Sequence, residues 1–339
     1  MSVDVSPPDT KPTPAANRRQ FLARSVNSRI LIGALAVTVL GVVLSYLAGG
    51  KDPSLVTQAV VTGLLLGGVY VLVSLGLTLI FGVLGIVNFA QGAMLTLAMY
   101  LVYFLVTTLG INTYLAVVLT VPIMFVFGWL VQSVLMNRLV ADGSHERPLL
   151  VALGLALLIV NVLLMIFGGR PDRVPSPAAG SVRLFGALAD MPRIVAFAGA
   201  IIVALALILV LKKTPLGLSI RAVAANGIGA SLVGVNVKRV YAMTFGLGAA
   251  SVGAAGGLIA PFTSLVPSVG DQFTTLAFVI VVLGGLGSVE GAVAGGIFIG
   301  LLQTIGSLFL PGSGSLLLVF GMFVLVLFVR PQGLFGANR

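Results

Sequence analysis

Long apolar stretches separated by short polar islands set the pattern of this chain. From Pro53 through Asn137 there is no Lys, Arg, Asp or Glu. A water-facing surface needs charge every few residues, so a soluble domain does not tolerate such a run. One bilayer crossing takes about 20 apolar residues, so the run holds several. Along the whole chain the pattern predicts ten spans, at 30–48, 55–82, 84–107, 113–136, 148–168, 194–211, 239–261, 272–286, 290–309 and 314–329. The stretches are continuous and not alternating, which predicts an all-α, polytopic transmembrane helical bundle and argues against a β-barrel. Gly284, Gly285 and Gly287 leave 272–309 open between a hairpin of two short spans and a re-entrant turn, so the count is about eight to ten.

Composition agrees, with 58% hydrophobic and 8% charged residues. The 43 glycines suit a bundle whose helix backbones approach closely. Residues 1–29 differ: Pro7, Pro8, Pro12 and Pro14 come early, then Arg18, Arg19, Arg24 and Arg29. They read as a disordered tail ending in a basic topogenic cluster. A signal peptide with 30–48 as its core is the rival reading. That core is long for one, and no small-x-small cleavage site follows, which favours a retained helix. The organisation is therefore a tail at 1–29, a membrane domain at 30–330 and a short tail at 331–339. With both tails inside, 14 of the 19 Lys and Arg fall on inside segments, as the positive-inside bias requires. The net charge of +10 thus follows from topology, and nothing in it calls for nucleic acid.

Candidate chemistry is sparse. There is no cysteine, and the single histidine, His145, cannot build a metal site alone. Only Asp271 and Glu290 approach a span, both near helix ends, which argues against an ion-coupled carrier. Glu290 reads as capping or solvating the turn after Gly287-Ser288. No phosphate-cradling loop and no catalytic constellation is present. The chain reads as a conduit, not an enzyme, with its driving force supplied by another subunit. The island from Lys212 to Arg239 is the contact candidate: Thr214 and Pro215 make an N-cap and first position. Ile220, Val223, Ala224 and Gly227, then Ala230, Val233 and Gly234, recur at helical spacing on either side of a break at Gly227–Gly229. Two short helices over 214–236 are expected; an ordinary basic loop is the alternative.

Three stretches resemble the permease subunits of ABC importers for branched-chain amino acids, specifically the shorter of the two paired permeases. They are GLTLIFGVLGIVNFAQG at 76–92, the island itself, and VLGGLGSVEGAVAGG at 282–296. The resemblance covers about residues 55–335. It implies a bacterial inner-membrane protein with both termini cytoplasmic. It also implies a second permease subunit, two cytoplasmic ATPases holding ATP and Mg, and a periplasmic substrate-binding protein; this chain binds no cofactor. The coupling role would fall on Pro215, Gly217, Arg221, Ala222, Ala224, Ala230 and Gly234. Uncharged polar groups and one acid are candidates to line the path: Asn88, Gln91, Thr96, Asn161 and Glu290. Tying helices together is the competing role for the amides. The glycines of the motifs, Gly85, Gly92, Gly284, Gly285, Gly287 and Gly291, are expected to be structural. Many members carry His where this chain has Gln91 and an acidic residue where it has Ala93, so no titrating side chain stands there. The same machinery for urea, short amides or aromatic acids, a self-contained carrier or channel, and a membrane anchor are the competing functions. Residues 82–88 also resemble 284–290 at an offset of 202, which internal duplication or chance among so many glycines would leave.

Overall fold

The computed structural model describes residues 53–137, 146–178, 180–310 and 312–335. The span expected at 30–48, the tail 1–29 and His145 lie outside the described residues. Among the described residues eleven α-helices follow in order: α1 Pro53–Leu84, α2 Gln91–Thr107, α3 Thr113–Leu130, α4 Glu146–Phe167, α5 Met191–Lys213 and α6 Pro215–Ala225. Then come α7 Gly227–Leu232, α8 Val237–Ile259, α9 Gly270–Gly284, α10 Val289–Phe309 and α11 Gly314–Val329. A π-helical turn, Val131–Met136, extends α3.

Six of these, α1, α3 with its π turn, α4, α5, α8 and α10, are long and apolar enough to cross a membrane. Helices α2, α9 and α11 are shorter apolar helices, of 17, 15 and 16 residues. Fifteen residues rise only about 22 Å against a hydrocarbon core of about 30 Å, so α9 relies on protein neighbours at its ends. The 272–309 stretch, open between a hairpin and a re-entrant turn, folds as the short α9 and the longer α10, joined through Gly285–Ser288.

Helices α1 and α8 form the centre. In their most apolar windows 83% and 89% of residues are buried, against 17% for α4 and 28% for α5. Helix α8 can sit there because its face is made of glycine and alanine. A Cβ on Gly246 would press on Phe125 of α3 at 3.0 Å, and one on Gly253 on Met124 at 2.7 Å. The α1–α10 crossing is closer still. Gly63 and Gly67 face Gly296 and Gly300, two glycine pairs four residues apart, each backbone against the other helix.

Two departures from the sequence reading stand out. The span expected at 84–107 begins instead at Gln91, because residues 85–90 leave the helix. Gly85 takes φ +69°, and the Asn88 side chain accepts from the Ala90 N–H at 3.1 Å, fixing a turn before α2. The loop between α4 and α5 contains an unexpected antiparallel hairpin, β1 Ser181–Leu184 with β2 Ala187–Asp190. Its two-residue turn, Phe185-Gly186, has φ of +52° and +86°, the both-positive pattern that matches strand twist.

The two ends of the bundle differ in charge. Arg147, Lys212, Lys213, Arg221, Lys238, Arg239 and Arg330 lie at the end carrying α6 and α7, hereafter the basic end. Arg170, Arg173, Arg183 and Arg193 lie at the hairpin end, where the Asp172–Leu265 bridge joins two loops.

Candidate functional site

The corner at the basic end is built by local chemistry. Thr214 ends α5 in extended backbone, and its hydroxyl oxygen accepts from the Gly217 N–H at 3.1 Å, starting α6. Pro215 fills the first helical position. A Cβ on Gly217 would run into the Leu211 carbonyl, so the turn closes only with glycine there. The Arg221 guanidinium donates to that same Leu211 carbonyl, satisfying an orphan acceptor at the end of α5. The break between the two short helices falls at Asn226, not within Gly227–Gly229: its side chain accepts from the Gly229 N–H at 2.9 Å and caps α7.

This corner has two faces. Ile220, Val223 and Ala230 are buried and anchor it, with α6 lying on α5, α8 and α1. Leu218, Ile228, Leu232 and Val233 point away, the last three close to 80% exposed. The helical spacing in the sequence singles out Val233 but not Leu218, Ile228 or Leu232, since an exposed apolar side chain carries no signal that separates it from core. Ala222 and Ala224 are half-buried, Pro215 is exposed, and Gly234 turns the chain with φ +87°. Ala230, expected to contact a partner, is buried on the inner face of α7.

Beside the corner a groove of about 970 Å3 opens between Ala224–Ala225, the end of α1 (Phe81–Gly85), the α9–α10 turn (Leu286–Ser288) and Pro331, Gln332 and Phe335. The two stretches at offset 202 meet here, a Cβ on Gly82 lying 3.3 Å from Gly287 Cα. Gly285 and Gly287, at φ +100° and +82°, make the α9–α10 turn, and Gly284 and Gly291 press backbone to backbone across it. Ser288, not Glu290, caps α10: its hydroxyl oxygen accepts from the Gly291 N–H at 3.0 Å. Glu290 is exposed in the first turn of α10. The segment after α11 is docked, with the Leu334 and Phe335 N–H groups donating to the carbonyls of Leu283 and Gly284 at 2.8 and 3.0 Å. These bonds satisfy the end of α9.

Three of the five path candidates come together at the start of α2. The Asn88 amide donates to Gln91 Oε1 at 3.3 Å, and Gln91 Nε2 donates to the Val73 carbonyl of α1 at 3.2 Å. Thr96 donates to the Gly92 carbonyl at 3.1 Å. Gly92 and Gly270 are in backbone contact, and the Gly92 N–H donates to Thr274 Oγ1 at 2.9 Å, tying α2 to α9. All three side chains are buried, and the space beside Asn88 is about 10 Å3, the threshold for one water. Asn161 and Glu290 stand apart from this junction. Asn161 is exposed on α4 and donates to its own helix, at the Leu157 carbonyl, 2.7 Å away. Further buried polar links that sequence reasoning missed are Tyr70 to Gln303 Oε1 at 2.6 Å and Ser251 to the Leu72 carbonyl at 2.8 Å. No group of metal-ligating side chains occurs among the described residues.

Comparison with known proteins gives one consistent answer. Residues 59–327 match the family model described as branched-chain amino acid transport system / permease component. The chain is 30% identical over 293 residues to the high-affinity branched-chain amino acid transport system permease protein LivH of Salmonella typhimurium, covering 82% of this chain and 95% of that one. It is 27% identical over 293 residues to the corresponding protein BraD of Pseudomonas aeruginosa, covering 82% and 95%. A shorter match, 32% over 131 residues, covers 38% of this chain and 30% of the permease protein LivM of Escherichia coli. No solved structure matches the chain.

Proposed function

The chain belongs to the branched-chain amino acid permease family and is a multi-pass membrane protein; on that premise we propose that it is one of two permease subunits of an ATP-driven importer. Its cargo is a branched-chain amino acid, as in the names of its relatives. A periplasmic binding protein delivers the substrate at the hairpin end, and two ATPases holding ATP and Mg act at the basic end. That end and both termini face the cytoplasm of a bacterial inner membrane, in keeping with its excess of Lys and Arg.

The observation that carries this reading is the α6–α7 corner. It projects an apolar, exposed surface beyond the bundle while its buried face is fixed to α1, α5 and α8. A partner seated on Leu218, Ile228, Leu232 and Val233 moves a rigid corner, and the corner borders the glycine turns that end α1 and start α10. The Asn88–Gln91 junction follows directly on the end of α1, so movement there reaches α2. Because α1 and α8 fill the middle of the chain, the path runs along a surface shared with a second permease subunit, not through this bundle alone. The discriminating experiment is labelled leucine uptake at low external leucine in cells lacking the gene, with and without its restoration. Restored uptake, competed by isoleucine and valine, is expected. Restoration of membrane-inserted protein without uptake would overturn the substrate and point to urea, amides or aromatic acids.

A further inference from the structure

We propose that the groove between α3 and α8 at the basic end binds an anionic phospholipid. The inference goes beyond the transport reading and rests only on membrane embedding. The groove has a volume of about 500 Å3, and its lining changes character along its length. Phe125 and Met243 lie toward the middle of their helices, Trp129 comes one turn nearer the basic end, and Asn137, Lys238 and Arg239 form the rim. That order is apolar, then amphipathic indole, then cationic, the order of acyl chain, interface and phosphate in a lipid.

Helix geometry produces the alignment. Positions 125, 129, 133 and 137 all line the groove. In a regular α-helix, steps of four drift sideways by about 40° each. The π turn at Val131–Met136 widens the helix within this run and keeps Ser133 and Asn137 on the groove side. On α8 the Asn236 side chain caps the helix by accepting the Arg239 N–H at 3.1 Å. The Lys238 and Arg239 head groups are exposed and make no ion pair with any described residue. Two cations over an apolar slot at a bilayer interface are the recognition chemistry for an anionic headgroup.

Trp129 is the single tryptophan of the chain, so its fluorescence reports on this groove alone. The full chain is placed in nanodiscs of fixed total phosphatidylglycerol and phosphatidylcholine content, with brominated acyl chains carried by one lipid or the other. Roughly fivefold preference per basic side chain predicts that brominated phosphatidylglycerol reaches half-quenching at a mole fraction about 30-fold lower. Lys238→Gln with Arg239→Gln is expected to bring the two lipids to parity. Lys212→Gln with Lys213→Gln removes the same charge at the same end outside the groove and is expected to keep the preference. Lys238→Gln alone, with a roughly fivefold loss, serves if the double variant fails to insert. Equal quenching by both lipids in the unaltered chain, or equal loss in both double variants, overturns the proposal. Absence of quenching by either lipid also overturns it, since protein and not lipid would then cover the groove.

Discussion

Substituting Gly300 by alanine tests the close approach on which the bundle centre depends. The added Cβ would lie 2.6 Å from both Gly63 O and Gly67 Cα, and 2.7 Å from Gly67 N. All three are backbone atoms of α1, so no rotamer change relieves them. Ordinary contact begins at 3.4 Å, and α1 and α10 must therefore part by about 0.8 Å at this level. A gap of that size forfeits a quarter to a half of the local dispersion attraction. Overpacking of this kind costs about 1–3 kcal/mol. Gly154 and Gly321 are the controls, because a Cβ at either meets nothing within 4 Å. Alanine's better helix propensity, up to about 1 kcal/mol, is common to all three changes, so the difference isolates the crossing. Heating the purified chain in nanodiscs and measuring the fraction that stays monodisperse gives the ranking. Gly300→Ala is expected to lose about 2–10 °C relative to Gly154→Ala and Gly321→Ala. Equal stability of all three variants would refute the argument that backbone contact at Gly300 holds α10 on α1.

Gly217→Ala is expected to leave the chain inserted but to abolish leucine uptake, because its Cβ meets the Leu211 carbonyl and displaces the α5–α6 corner; normal uptake would remove the corner from the mechanism. Gln91→Leu deletes the bonds to Val73 and Asn88 and is expected to lower stability in the same heating assay by about 0.6–1.7 kcal/mol, between the mean and the maximum measured for interhelical hydrogen bonds. Unchanged stability in that variant would mean that Gln91 does not tie α2 to α1. Asn161→Ala is expected to change neither stability, beyond about 0.5 kcal/mol, nor uptake, since its amide bonds only its own helix and faces outward; a loss of uptake would return it to the path.

Local chemistry was legible in the sequence, and tertiary placement was not. Thr214 and Pro215 announced the start of α6 because capping depends on neighbours three residues apart. The long apolar runs gave α4, α10 and α11 nearly to the residue. The break at 85–90 was missed because its cause is an Asn88 side-chain turn inside an otherwise apolar stretch. The β1–β2 hairpin escaped because Phe185 carries no turn signal. The greater difficulty is that hydropathy does not rank burial inside a membrane. The most apolar window of α8 has the lowest mean hydropathy among the six long helices, 1.5, with 89% of its residues buried; that of α5 has the highest, 3.2, with 28% buried. Lipid takes the most apolar helices, and protein contacts take the small residues. The facing pairs Gly63/Gly67 and Gly296/Gly300 were present in the sequence, but among 43 glycines nothing local identified them as partners. Asn161 looked like a path residue for the same reason: a polar group in an apolar run shows its type but not its direction.

We propose that force enters this chain from an ATPase through the exposed face of α6 and α7. The most direct measurement is leucine uptake into proteoliposomes holding the chain with its second permease, its ATPases and its binding protein, for the unaltered chain and for Val233→Glu. Uptake is expected only with ATP at the ATPase side and unaffected by ionophore. Val233→Glu, changing a residue 79% exposed, is expected to abolish uptake and ATPase association while the chain remains inserted. Uptake by this chain alone, without ATPases and collapsed by an ionophore, would show that force does not enter through α6 and α7.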